Sequence, residues 1–140
     1  MKGSGLPLSL FFLLLVAAVC LSCGSPSSSN VPHSIQAITI KPGNADAQDY
    51  PNGQVQFTAT GYYNQAPAVV SPLAATWGVC YQNAPTTDAS VTKNGLAACA
   101  PGAAGTYTVY ADDPPDPSCL VIGPCGGGCF VTGTAQLTCP

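Results

Sequence analysis

The sequence predicts an all-β sandwich, and three observations carry that expectation. Turn signals recur at short intervals, at Pro42-Gly43, Pro51-Asn52-Gly53, Asn94-Gly95, Pro101-Gly102 and through the long stretch Asp112 to Gly128. The intervals between them are rich in β-branched and aromatic residues. No segment sustains a helical period. About seven short strands spaced by such turns, with a lone tryptophan (Trp77) near the middle, fit an immunoglobulin-like sandwich. A small open barrel is the structural alternative.

The strands follow in order. Ser34 to Lys41 places Ile35, Ala37 and Thr39 on one face and Gln36, Ile38 and Ile40 on the other, which reads as an edge strand touching protein on both sides. Gln54 to Tyr62 alternates cleanly: Val55, Phe57, Ala59 and Gly61 face inward, while Gln54, Gln56, Thr58 and Thr60 face solvent. Ala75 to Tyr81 puts Trp77 and Val79 on a common face. Ala89 to Thr92 and Leu96 to Ala100 flank Lys93-Asn94-Gly95 and form a tight hairpin. Gly105 to Ala111 turns Tyr107, Val109 and Ala111 inward, and Val131 to Thr138 closes the chain.

Ahead of this domain lies a leader. Met1 and Lys2 give a minimal positive start, and an apolar run follows from Leu6 to Leu21. That run is short for a membrane span, which takes roughly 20 residues, and suits the apolar region of a secretory signal. Residues 1–22 are therefore assigned to a signal peptide and 23–33 to an anchor cysteine and flexible tether. Residues 34–140 form the domain, with an insertion at about 112–130.

Composition excludes several functions. Arg and Glu do not occur. Past residue 33 only Lys41 and Lys93 oppose six aspartates, a net charge of 2 − 6 = −4. Such a chain has no electrostatic footprint for nucleic acid or for anionic lipid. The only histidine, His33, lies in the tether, and no Gly-x-Ser-x-Gly elbow occurs, so no Ser-His-Asp device can be assembled. No enzymatic activity and no cofactor are expected. Cys125 and Cys129 approach the spacing of a zinc pair, yet no CxxC or partner histidine motif accompanies them within residues 34–140, and export favours oxidation. No metal is expected. Asp112, Asp113 and Asp116, set among prolines, read as a solvated turn and not as a calcium loop.

Cys20-Leu21-Ser22-Cys23-Gly24 resembles a lipobox, the recognition site of the bacterial lipoprotein signal peptidase. Ser22 and Cys23 fit the pattern, whereas Cys20 stands where that family commonly has Leu. The resemblance implies cleavage before Cys23, lipidation of Cys23, and an outer-membrane or cell-surface address. The alternative is a secreted or periplasmic protein. Cysteine parity favours the lipid: of eight cysteines, removal of Cys20 and acylation of Cys23 leave six, namely Cys80, Cys99, Cys119, Cys125, Cys129 and Cys139.

The succession SIQAITIKP, GQVQFTATGYYNQ, ATW, ASVTKNGLA and PGAAGTYTVYA resembles the bacterial Ig-like (BIG, group 2) repeat over roughly residues 34–111. The cysteines and the insertion depart from that pattern. The resemblance implies the sandwich and a spacer or binding role, and it leaves the function open. Laid onto the sandwich, the cysteines suggest Cys80–Cys99 as an inter-sheet staple, although Cys80 is out of phase with Trp77. Cys119–Cys139 and Cys125–Cys129 would complete the set if the insertion folds back along the domain. The expected role is a non-catalytic envelope module, held to the membrane by its lipid, with an envelope protein or polysaccharide as partner. The alternative is an adhesin or carbohydrate-binding module that uses exposed tyrosines, Tyr81 and Tyr110, and the insertion.

Overall fold

The computed structural model describes residues 33–113, 125 and 130–140. The leader, the tether through Pro32, Asp116, Cys119 and Cys129 lie outside the described residues.

The chain forms β1 (Ile35–Lys41), β2 (Asn44–Asp46), β3 (Gln54–Gln56), β4 (Thr58–Tyr63), β5 (Val69–Val70), β6 (Thr76–Tyr81), β7 (Ala84–Pro85), β8 (Ala89–Val91), β9 (Leu96–Cys99), β10 (Gly105–Asp113) and β11 (Val131–Cys139). Two 3-10 turns, Ala47–Asp49 and Pro51–Gly53, separate β2 from β3. One layer contains the ladders β1-β4-β5 and β3-β9-β8, where β3 and β4 are a single run broken at Phe57. The other layer is β2-β11-β10-β6-β7. Every pairing is antiparallel except the short parallel contact of β2 with β11. With the short edge strands set aside, this is the strand order of an immunoglobulin-like sandwich.

The core follows the period of two on each strand. Val55, Phe57 and Ala59 meet Val109, Ala111, Ala135 and Leu137 in one buried cluster. Trp77 packs against its margin, half-buried. The first strand corrects the expectation of contact on both faces. A bulge between Ile35 and Ala37 shifts the phase, so Ile35, Ile38 and Ile40 all bury on one side while Gln36, Ala37 and Thr39 are exposed.

The hairpin over Lys93-Asn94-Gly95 forms as expected: Val91 pairs with Ala97, and the Gly95 N–H donates to the Thr92 carbonyl. Gly95 has φ +81°, and a Cβ there would stand 2.3 Å from the carbonyl oxygen of Phe57. Gly95→Ala is therefore expected to cost more than about 1 kcal/mol, since both backbone strain and a backbone clash oppose it. The shift in urea midpoint checks this.

Candidate functional site

The termini of the strands divide the sandwich into two ends. The chain enters at His33, whose ring stacks on Tyr63 at 4.5 Å between centroids. The Ser34 N–H donates to Asn64 Oδ1, and the Asn64 N–H returns a bond to the Ser34 carbonyl. At the same end the Tyr63 hydroxyl donates to Asp113 Oδ2 at 3.3 Å. Burial first, then the Asp113 carboxylate, holds the Tyr63 phenol above the usual tyrosine range. This is the tether end. The opposite end carries Gly105, paired with Cys139, and the loop that follows β9.

Both described disulfides differ from the pairings suggested by the sequence. They are Cys99–Cys139, with Cα atoms 5.8 Å apart, and Cys80–Cys125, at 5.5 Å. None of Cys80–Cys99, Cys119–Cys139 and Cys125–Cys129 forms, because one or both members of each are bonded elsewhere. Strand phase explains the difference. Cys139 shares its parity with Gly133, Ala135 and Leu137, so it points inward, and Cys99 reaches it across the two sheets. Cys80 follows Val79, which is paired with inward-facing Val109, so Cys80 points away from the core. It therefore takes a partner from the β10–β11 connection. Cys125 is thereby held beside Cys80, whose register partner Thr108 lies well back along β10 from its last residue, Asp113. The span from Asp113 back to Thr108 is about 17 Å along the strand at roughly 3.3 Å per residue. Of the expected partners, Cys125 is bonded to Cys80, and Cys139 is bonded to Cys99 and not to Cys119.

Asp112 and Asp113 also depart from expectation: they are strand residues of β10 and not a solvated turn. They face opposite sides, Asp113 toward Tyr63 and Asp112 beside Thr132 and Thr76. Asp112 is 6% exposed, and its Oδ1 has no hydrogen-bond partner among the described residues. Burial raises the Asp112 pKa, and a hydrogen bond with Thr132 offsets part of that rise. The folded state thus holds this proton more tightly than the unfolded chain does. Its contribution to stability is greatest below the ordinary carboxylate range and is lost as pH rises through that range to the folded value. Asp112→Asn is expected to stabilise the domain at neutral pH by about 1–2 kcal/mol, the order of a relieved buried polar group. The advantage should vanish near pH 3. Denaturant titrations at the two pH values check the sign. Among the described residues no cluster of His, Cys, Asp or Glu has the grouping of a metal site.

The two tyrosines singled out by sequence have different fates. Tyr110 lies across Gly78, its register partner on β6: a Cβ at position 78 would fall 2.0 Å from the Tyr110 hydroxyl. Its ring is spent on covering that glycine and is half-buried. Tyr81 is 39% exposed at the far end of β6, with its ring tilted against Tyr107 at 5.2 Å. Tyr107 is buried and donates from its hydroxyl to the Ala104 carbonyl. Burial first, then the neighbouring Asp88 and Tyr81, raises the Tyr107 pKa.

Tyr81, Asp88 and Tyr107 line a shallow cleft of about 260 Å³, closed on one side by the loop Ala100–Ala104. The other side of that loop borders a second cleft, of about 370 Å³, lined by Gln48, Tyr50 and Asn52 of the 3-10 turns and by Pro140. Residues 100–103 are common to both. The segment 47–53 was invisible as a site in the sequence, because Pro51-Asn52-Gly53 carries only a turn signal. A third cleft, of about 430 Å³, opens beside Trp77 and is bordered by Leu73 and Lys93.

No protein-family model matches the chain, and no curated protein matches it.

Proposed function

We propose that this chain is a non-catalytic cell-envelope lipoprotein whose Ig-like domain is a structural or interaction module. The observation that carries the reading is the pair of disulfides, Cys80–Cys125 and Cys99–Cys139, which join residues 45 and 40 positions apart. Bridges of this kind form and persist in oxidising compartments outside the cytosol. The signal-like leader supplies the route there. A lipid on Cys23 supplies the anchor, with the tether joining the sandwich at His33. The lipobox-like junction and the even set of six remaining cysteines support that assignment.

The likeness of residues 34–111 to the BIG group 2 repeat supports the role of spacer or binding module. Substituting Cys23→Ser tests the anchor. The wild-type protein is expected in the membrane fraction and the variant in the soluble extracytoplasmic fraction. Equal membrane retention of both would overturn the lipid anchor, and a soluble wild-type protein would favour the secreted alternative.

A second reading, a carbohydrate-binding module, is favoured by one observation. Tyr81 leaves much of its ring open on a rigid strand beside a carboxylate, Asp88. Tyr110 does not share this property.

A further inference from the structure

We infer that the end of the sandwich opposite the tether is a binding site for a neutral oligosaccharide, laid across the loop Ala100–Ala104. The inference rests on the second reading above, to which it adds a site and a ligand class, and it relies on the envelope reading only for the place where such a glycan is met.

Three features converge on this end. The two clefts share the wall at residues 100–103 and each contains a tyrosine: exposed Tyr81 on one side, and on the other Tyr50, half-buried against the core with part of its ring lining the cleft. An aromatic face is the common platform for a sugar ring, whose C–H groups pack on the π surface while its hydroxyls turn to polar neighbours. Those neighbours are present. Asp88 lies beside Tyr81, and Gln48 and Asn52 lie beside Tyr50; each offers a planar group that can bond adjacent hydroxyls. Pro101 and Gly102 form the ridge between the platforms and carry no long side chain to obstruct a ligand that spans both.

The second feature is rigidity. Cys80 immediately precedes Tyr81, and Cys99 immediately precedes Ala100, so each disulfide fixes a residue next to a cleft wall. Cys99 itself lines the larger cleft. Groups held in place before binding lose less conformational freedom on binding. Neither bridge is adjacent to the tether end, where His33, Tyr63 and Asp113 are joined by stacking and hydrogen bonding alone.

The third feature is charge, which selects the ligand class. Asp88 lines one cleft, Asp46 caps and Asp49 ends the 3-10 turn beside the other, and neither Lys41 nor Lys93 lines either cleft. Clefts with aspartates in or beside their walls and no lining cation disfavour uronic-acid and phosphate polymers. Proline-rich peptides also dock on tyrosine-lined grooves. The carboxylate and amides beside each ring favour hydroxyl-rich sugars over such apolar segments.

The test uses the mature, detergent-solubilised protein on an array of neutral and anionic oligosaccharides, with polyproline peptides as a further arm. Neutral glycans are expected to bind. Tyr81→Ala and Tyr50→Ala should each weaken binding by about tenfold, the factor that corresponds to one lost contact of about 1.4 kcal/mol. Tyr81→Phe should retain it, since the ring remains. Tyr110→Ala should bind as the wild type does. Circular-dichroism melts accompany each variant, and a Tyr81→Ala protein that does not fold leaves Tyr50→Ala and Asp88→Asn to decide. Binding confined to anionic glycans or to the peptides, no binding at all, or binding indifferent to Tyr81 and Tyr50 would overturn the inference. A failed array with Cys23-dependent membrane retention would reject the glycan site alone; glycan binding without that retention would reject the anchor alone.

Discussion

Replacing Phe57 with alanine is expected to lower stability by about 3–5 kcal/mol, the range for deleting a buried aromatic side chain. Phe57 is fully buried where β3 and β4 meet, and it is the largest of the fully buried side chains. Its neighbours cannot close the void. Of the residues in the core cluster, seven are alanines: Ala45, Ala47, Ala59, Ala89, Ala97, Ala111 and Ala135. Short side chains on rigid strands have little reach, so most of the cavity persists. Its backbone is tied as well, because the Phe57 N–H donates to the Gly95 carbonyl at 2.8 Å and fixes the hairpin between β8 and β9. A small domain has roughly 5–15 kcal/mol in total, so the variant should retain little of it. The melting temperature should fall by about 4–8 °C for each kcal/mol lost. A Phe57→Leu control, which fills part of the space, should recover much of the difference. Equal melting of wild type and Phe57→Ala would contradict the placement of the core.

The second large effect is expected for the double variant Cys99→Ala/Cys139→Ala. The bridge joins β9 in one sheet to the end of β11 in the other, over a separation of 40 residues. Releasing a loop of that length from the unfolded chain removes about 4 kcal/mol in the chain-entropy account of disulfides, against a typical measured range of about 2–4 kcal/mol. Removing both sulfurs avoids leaving a lone buried thiol at Cys139, which is 3% exposed. The same variant should loosen the wall of the Tyr50 cleft, since Cys99 is part of that wall. Denaturant unfolding under non-reducing conditions reads the effect. The Cys80–Cys125 bridge spans a similar separation but ties a connection to one sheet instead of joining the two sheets. Its loss should therefore release the connection while the sheets stay paired.

Much of the sandwich was legible because alternation is a strong signal where one face is buried. Gln54 to Tyr62 and Gly105 to Ala111 show their inward residues directly, and Asn94-Gly95 announces its hairpin. The short strands Asn44–Asp46, Val69–Val70 and Ala84–Pro85 were not legible. Two or three residues are too few to display a period, and Pro85 argues against a strand. The bulge in β1 hid a one-sided strand behind an apparently two-sided pattern, since an extra residue reverses phase. Asp112 and Asp113 read as a turn because aspartate favours turns and prolines follow; their place in β10 depends on pairing with β6 and β11, which only the folded chain supplies. The disulfides were half legible. The inward parity of Cys139 and the outward parity of Cys80 are present in the sequence, but the destination of the connection is not.

For the candidate site, Tyr81 was legible only as one of two tyrosines expected to be exposed. Tyr110 could not be told apart from it, because the cover it gives Gly78 is a cross-strand relation. Tyr50 has no periodic context at all.

The central claim is an exported, lipid-anchored domain with oxidised cysteines. Its most direct test is the intact mass of the mature protein, isolated from the membrane under non-reducing conditions. The expected result is a polypeptide running from Cys23 to Pro140 that carries acyl mass and has no free thiol among Cys80, Cys99, Cys125 and Cys139. A chain that retains its leader, begins elsewhere without lipid, or takes up a thiol reagent at those four positions would contradict it.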